Sequence, residues 1–339
     1  MFFAATVQLE DSSAIYGRMK AIVQEGYGSP EVLKLREVET PRIDDQGVLV
    51  QVHAASVNAL DWHITRGMPY LVRIGGRRAP KDSIRGVDLA GRVVAVGKNV
   101  TRFKPGDEVF GGGNGSFAEY ATTTENRLAS KPPALSLERA ATLNIAGLTA
   151  LQGLRDKARV QAGQRVLING AGGGVGTFAV QIAKWLGASV TAVTRTESVD
   201  LARSIGADEV IDYRIEDFTR RSERYDVLFD IGGNRPFAHC RRVMAPTGVL
   251  VAIGAPAGRW LAPATRLLKA AALSPFGRRR LLPFIAKHDP LALALLAELT
   301  QAGTVLPVID RRHTLQDAPE AIGHVGTGQA RGKVVINVH

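Results

Sequence analysis

The stretch Arg165-Val166-Leu167-Ile168-Asn169-Gly170-Ala171-Gly172-Gly173-Gly174-Val175-Gly176-Thr177-Phe178-Ala179-Val180-Gln181-Ile182-Ala183-Lys184 decides how the rest of the chain is read. It opens with an apolar run suited to a buried strand, crowds four glycines into six residues, and resumes with Val175, Phe178, Ala179, Ile182 and Ala183 at helical spacing. Strand, glycine turn and helix in that order form a phosphate-binding device. Glycines let the backbone approach a pyrophosphate, and the free N–H groups and dipole at the helix start attract its charge. A glycine cluster alone is weak evidence and also suits a plain tight turn; the flanking elements are what point to a dinucleotide.

Downstream the rhythm stays α/β. Ser189–Thr194 reads as a second strand, Val199–Ile205 as a helix closed by Gly206, and Glu209–Tyr213, Tyr225–Asp230 and Gly248–Gly254 as further strands. Alternating units of this kind predict a doubly wound parallel sheet. Upstream the pattern differs. Met19–Val23, Gly47–Ala54 and Leu89–Gly97 are short β-like runs punctuated by Gly, Pro and Asp, which predicts an antiparallel β-rich domain, and helical spacing from Leu137 to about Arg159 links the two. Residues 1–18 read as a detachable extension before Met19, Pro290–Ala302 as a helix, and Arg331–Val338 as a closing strand.

Composition bounds the function. At 339 residues the chain has room for about two cores, and 45% hydrophobic with 22% charged residues is ordinary for a globular protein. No apolar run reaches the roughly 18–20 residues of a membrane span. Cys240 is the single cysteine, so no internal disulfide can form, and a cytoplasmic setting is expected. The 43 Lys and Arg against 32 Asp and Glu leave a net charge of +11, spread along the chain without a nucleic-acid motif. That favours a basic surface suited to anionic cofactors over a nucleic-acid partner. Residues 255–283 interleave Trp260, Leu267, Leu268 and Leu281 with Arg259, Arg266, Lys269 and Arg278–Arg280. The segment suits a helix packed on its own domain with its basic face in water, a lid over a substrate pocket, or membrane contact through 259–282.

From Met19 onward the chain resembles the medium-chain dehydrogenase/reductase superfamily, in its zinc-free quinone oxidoreductase-like branch. The resemblance rests on Ser56–Asp61, Gly86–Val93, Gly106–Val109, Gly115–Tyr120, Ala146–Ala150, Ala171–Gly176, Gly206–Tyr213 and Gly332–Val335, all in family order. It implies an α/β fold with a split GroES-like β-barrel catalytic domain (19–145 and 288–339) around a Rossmann domain (146–287), and a homodimer formed through the Rossmann sheet edges. In two places the chain departs from the family pattern. Ala171 stands where the strict fingerprint has its first Gly, and the segment 255–283 is longer than in compact members.

The resemblance also frames the metal question. Where zinc-dependent members carry Gly-His-Glu, this chain has Gly86-Val87-Asp88, and Ile145, beside Asn144, stands where a second Cys would ligate. Zinc needs three or more N, S or O ligands; Val87 and Ile145 supply none, and the seven histidines show no ligand spacing. No metal is expected.

In a Rossmann domain that binds NAD an acidic residue follows the second strand, but here Thr194 and Arg195 occupy that place. A threonine and an arginine there suit a 2′-phosphate, so NADPH is the expected cofactor. Ala171, Gly173, Gly174, Val175 and Gly176 form its pyrophosphate turn. Thr149, Ile231, Gly232, Ile253 and Gly254 should line the cleft, since ligands sit at the carboxyl ends of parallel strands. The resemblance adds Tyr213 near the adenosine phosphate, and Phe284, Ile285 and Ala286 beside the nicotinamide. It also makes Asn58 and His63, with Tyr70 on the following loop, the candidate donors near the acceptor.

Without a Lewis acid, a quinone or an α,β-unsaturated carbonyl is the better hydride acceptor, because its developing charge delocalises onto oxygen where hydrogen-bond donors can stabilise it. The expected function is therefore NADPH-dependent reduction of such small molecules. A zinc-free NADP-dependent alcohol/carbonyl oxidoreductase and a non-catalytic NADPH-binding protein are the alternatives.

Overall fold

A computed structural model describes residues 16–68, 70, 73, 76, 78–253, 262–273 and 278–339. Fifteen strands and nine α-helices are found among them. In the first third of the chain, β1 (Arg18–Gln24) pairs with β2 (Leu33–Glu39), and β3 (Gly47–Val57) leads into α1 (Ala59–Arg66). β4 (Asp88–Val96), β5 (Glu108–Gly112), β6 (Tyr120–Thr124) and β7 (Leu128–Ser130) follow. Leu137–Ala158 is helical throughout, with α2 (Leu137–Ala141) and α3 (Leu148–Leu151) separated and followed by π-helical turns.

The second third holds β8 (Arg165–Asn169), α4 (Gly174–Trp185), β9 (Ser189–Thr194), α5 (Val199–Ser204), β10 (Glu209–Asp212) and β11 (Tyr225–Asp230). Next come α6 (Phe237–Cys240), β12 (Met244–Ala252), α7 (Ala262–Leu273) and β13 (Arg280–Pro283). The chain closes with α8 (Pro290–Gln301), β14 (Ile309–Thr314), α9 (Ala318–Gly326) and β15 (Lys333–Asn337).

Two sheets organise these elements. One is the expected parallel sheet, with order β10-β9-β8-β11-β12-β13. The other runs β14-β15-β3-β4-β5-β7, with β6 also paired to β3, and is antiparallel except between β14 and β15. Because β15 pairs with β3, from Val334 opposite Val57 to Asn337 opposite Ala54, the end of the chain completes the sheet that its beginning starts. The result is an α/β fold with a GroES-like β-domain and a Rossmann parallel sheet. The burial of Val166, Ile168, Val190, Ala192, Val227 and Phe229 on the parallel strands explains why those runs are continuously apolar.

The structure refines three expectations. Arg18 already belongs to β1, opposite Glu39, and the N–H of Thr40 donates to the Gly17 carbonyl at 2.8 Å, so the tie to the sheet begins before Met19; residues 1–15 lie outside those described. The basic stretch 255–283 supplies α7 and the sixth parallel strand, β13, whose four residues are too few for a periodic signal. Within that stretch Ala270 and Leu281 are buried in a core under the sheet while Leu268 is exposed, as for a helix packed on its own domain. No helix among the described residues is long and apolar enough to cross a membrane.

Candidate active site

A cleft of about 420 Å³ lies between the two sheets, at the carboxyl ends of β8, β9 and β11. One wall is the glycine turn. Gly173 caps α4 with extended backbone, and a Cβ there would meet almost nothing but the cleft; its nearest neighbour is the Gly170 carbonyl oxygen at 3.8 Å. At Gly176 a Cβ would sit 2.1 Å from the same oxygen, so only glycine lets α4 pack this close to β8. Ala171, at the first fingerprint position, is fully buried and its N–H donates to the Val193 carbonyl at 3.0 Å, so the substitution costs the turn nothing.

The opposite wall comes from the β-domain, and it holds a buried polar knot. Asn58, one residue past β3, caps α1: its backbone N–H donates to Asp61 Oδ2 at 2.8 Å. Its amide is engaged at both ends, with Nδ2 donating to Asp88 Oδ2 at 2.9 Å and Oδ1 accepting from Lys333 Nζ at 2.7 Å. Lys333 Nζ also donates to the Val57 carbonyl at 3.1 Å and lies 3.5 Å from Asp88 Oδ2. Asp88 accepts in addition from Ser56 Oγ at 2.8 Å, Asn144 Nδ2 at 2.9 Å and the Ile145 N–H at 3.2 Å. The donors and the ammonium beside it leave neither carboxyl oxygen of Asp88 without a partner.

Burial holds the Lys333 ammonium below its ordinary range, with Asp88 and Asp61 opposing that shift. Asp61 is pushed up to about 7, chiefly by burial and further by the charge of Asp88, while the Asn58 N–H, Lys333 and Arg85 pull the other way. Asp88, at the Glu position of the zinc-dependent pattern, is therefore engaged in a hydrogen-bonded ion pair with Lys333. Among the described residues no group of three or more His, Cys, Asp and Glu could hold a metal ion.

The cleft brings together Asn58, Gly173, Gly174, Val175, Thr194, Arg195, Tyr213, Ile231 and Gly232. Several other candidates lie elsewhere. His63 closes the end of α1, its Nδ1 3.0 Å from the Met68 carbonyl, and Tyr70 stacks under the Arg73 guanidinium at 4.8 Å; neither lines the cavity. Thr149 spends its hydroxyl on the Ile145 carbonyl at 2.6 Å within the helix. Gly176 and Ala171 support the turn from behind. Ile253 and Phe284 continue the strand ends, their N–H groups donating to Asp230 and Ala252 carbonyls, while Ile285 is exposed and Ala286 packs against the core. Gly254 lies outside the described residues.

Arg195 reaches the cleft with its fork already used. Nη1 donates to the Gly328 carbonyl at 2.8 Å and Nη2 to that of Gln329. Beyond it lies a second cavity of about 410 Å³ lined by Arg195, Arg214, Arg311 and Arg331 together with Glu197, Asp310, His324 and Gln329. Sequence reasoning missed Lys333, Asn169, Ser198 and Asn234, which also line the main cleft. A lone charge abutting the apolar Val334-Val335-Ile336 was the available signal for Lys333; the others are ordinary polar residues after strands.

Comparison with known proteins agrees with this architecture. Residues 44–133 match the alcohol dehydrogenase GroES-like domain family, and residues 205–336 match a zinc-binding dehydrogenase family. The chloroplastic quinone-oxidoreductase QR1 of Triphysaria versicolor is 32% identical over 94% of this chain and 98% of its own length. The chain belongs to the medium-chain dehydrogenase/reductase superfamily, in its quinone oxidoreductase-like branch. It is an oxidoreductase. The chloroplastic NADPH-dependent alkenal/one oxidoreductase of Arabidopsis thaliana is 32% identical over 98% of this chain and 83% of its own length. Among solved structures, the quinone oxidoreductase from Coxiella burnetii superposes with a TM-score of 0.87 at 30% identity, covering 95% of this chain and all of that one.

Proposed function

We propose that this oxidoreductase uses NADPH to reduce quinones or α,β-unsaturated carbonyl compounds, without a metal. The observation that carries the reading is the cleft itself, a cavity of about 420 Å³ lined by the start of α4 on one side and by Asn58 and Lys333 on the other. The Gly173–Val175 backbone fits a pyrophosphate, since a Cβ at Gly173 would project into the cavity and the first N–H groups of a helix have no intrahelical partner. When bound, the dinucleotide supplies the hydride. The names of the relatives, a quinone reductase and an alkenal/one reductase, support the acceptor class.

The residues of this chain do the positioning. Lys333 and Asp88 lock the Asn58 amide, so Asn58 is a fixed wall for the reacting end and not a free proton donor. With His63 turned to Met68, water supplies the last proton. Valine and isoleucine at the ligand positions, with no metal-binding group among the described residues, do not fit zinc.

For the 2′-phosphate, Thr194 and Tyr213 line the adenosine end. Arg195, with its fork held by carbonyls, contributes charge more than direct hydrogen bonds. The four guanidiniums of the adjoining cavity outnumber Glu197 and Asp310, which favours a dianion there. A division at 145/146 and 287/288, a homodimer through edge pairing of the Rossmann sheets, and a cytoplasmic setting belong to the same proposal.

The test is spectrophotometric oxidation of NADPH and NADH against quinones, enones, alkenals and saturated ketones, with and without a chelator. Turnover of quinones or enones, faster with NADPH and indifferent to the chelator, is expected. Activity on saturated ketones alone, or loss of activity with the chelator, would overturn the reading.

A further inference from the structure

Behind the cleft, a second polar cluster holds the loop that follows β11. Ile231, Gly232 and Asn234 of this loop line the cavity. The N–H groups of Ile231 and Gly232 donate to the Asn169 carbonyl at 3.0 and 3.1 Å, and that of Gly233 to Asp230 Oδ1 at 3.0 Å. The Asn169 amide reaches both Asp230 Oδ1, at 2.7 Å, and Asn234 Oδ1, at 3.0 Å. Asp230 is fully buried, so its second oxygen needs a donor.

Arg266, on α7, provides it. Its Nη2 donates to Asp230 Oδ2, and its Nη1 donates to the Arg235 carbonyl at 3.0 Å. These are the two ends of the same loop, closed by one planar group whose face lies 4.2 Å from the Phe237 ring centroid. Among the described residues the Cys240 thiol also donates to the Arg235 carbonyl, at 3.9 Å, but Arg266 is the cation paired with Asp230. The Arg235 side chain is turned to Asp217 at 3.2 Å, and Cys240, pushed up to about 12 by burial and then by Asp230, stays a neutral thiol. A guanidinium can make both bonds from a rigid fork, whereas a lysine ammonium reaches one end at a time.

We infer that Arg266 is a positioning residue for the cofactor: by clamping both ends of the loop 231–235 it presets Ile231, Gly232 and Asn234 for the dinucleotide. The inference rests on the dinucleotide reading above. It gives Arg266, within the basic segment, a role inside the protein, two steps removed from the ligand.

The experiment compares wild type, Arg266→Met and Arg266→Lys in the full chain. It measures KM for NADPH, kcat, KM for a quinone, and amide hydrogen exchange of residues 231–234. Arg266→Met is expected to raise the NADPH KM at least tenfold, with a smaller change in kcat and in the quinone KM, and to speed exchange at Gly233. Arg266→Lys should fall between it and wild type. Adding Asp230→Asn to Arg266→Met should raise the NADPH KM no further, because the clamp is already open. Unchanged NADPH KM with unchanged exchange overturns the inference, as does a kcat loss without a KM change. If Arg266→Met does not fold, Arg266→Lys decides, and wild-type KM and exchange in that variant overturn it. If the wild type itself does not bind NADPH, the dinucleotide reading falls, and exchange at Gly233 alone decides whether the clamp exists.

Discussion

The two walls of the cleft are built by opposite means. The glycine turn is contiguous: Gly170 to Gly176 lie within one strand-turn-helix unit, and its geometry follows from what a Cβ would strike. The facing wall is assembled from β3, β4 and β15, and its central bond, Lys333 to Asn58, joins residues 275 apart in sequence. A contiguous wall is set by backbone sterics and tolerates little change in shape. An assembled wall is set by charge balance and tolerates little change in ionisation.

The largest expected effect of breaking that contrast is on the assembled side. Lys333→Met leaves Asp88 as a buried charge without its cation, and loss of about 3–5 kcal/mol of stability is expected from denaturant unfolding. Combining it with Asp88→Asn should recover part of that loss, whereas simple crowding by Met would leave the double variant as weak as the single.

The same wall should respond to pH. The folded-state pKa of Asp61, about 7, lies above its ordinary value of 3.8, so the folded chain holds a proton that the unfolded chain releases. Stability from this group is full below about pH 4 and falls as pH rises through 7, by about 4 kcal/mol in all. Unfolding midpoints measured across pH 4–8 should slope downward in the wild type and lose that component in Asp61→Asn. An identical slope in both would remove Asp61 from the account.

On the contiguous side the effects are smaller and local. Gly173→Ala projects a methyl group into the cleft from a backbone that alanine adopts readily, so Tm should stay within a degree or two while NADPH affinity, followed by nicotinamide fluorescence, falls about tenfold, or ~1.4 kcal/mol. The smallest effect is expected for Arg195→Ala. With its fork already held by Gly328 and Gln329, its removal should lower the NADPH-over-NADH preference only a few-fold in kcat/KM, and Arg311→Ala or Arg331→Ala should contribute comparably.

This contrast also explains what the sequence disclosed. The α/β half was legible because buried parallel strands read as continuous apolar runs and the glycine turn is compressed into a few residues. Thr194, Arg195, Ile231 and Gly232 were chosen by their place after strands and Tyr213 by the family resemblance, and all reach the cleft. The failures share a cause. His63 and Tyr70 were chosen for chemistry near Asn58, but α1 carries His63 around to its far end, where it bonds the Met68 carbonyl. Phe284–Ala286 follow β13, an edge strand whose direction no local pattern specifies. Lys333 and Arg266 were in view as residues, yet their partners lie on other elements, and pairwise charge balance across a fold leaves no periodic trace.

The pairing of β15 with β3 has a consequence for how the molecule is made. Val57, Asn58 and Gly174 meet Gly332 and Lys333, and the Gly332 N–H donates to the Gly172 carbonyl at 3.1 Å, so a wall of the cleft waits for β15 to be synthesised. On the ribosome the parallel sheet can close first from its own nearby segments, while the β-domain stays an open sheet with the Ala54–Val57 end of β3 unpaired along one edge. Cofactor capture then waits on β15, and a nascent chain stalled before residue 333 would expose that edge to other chains.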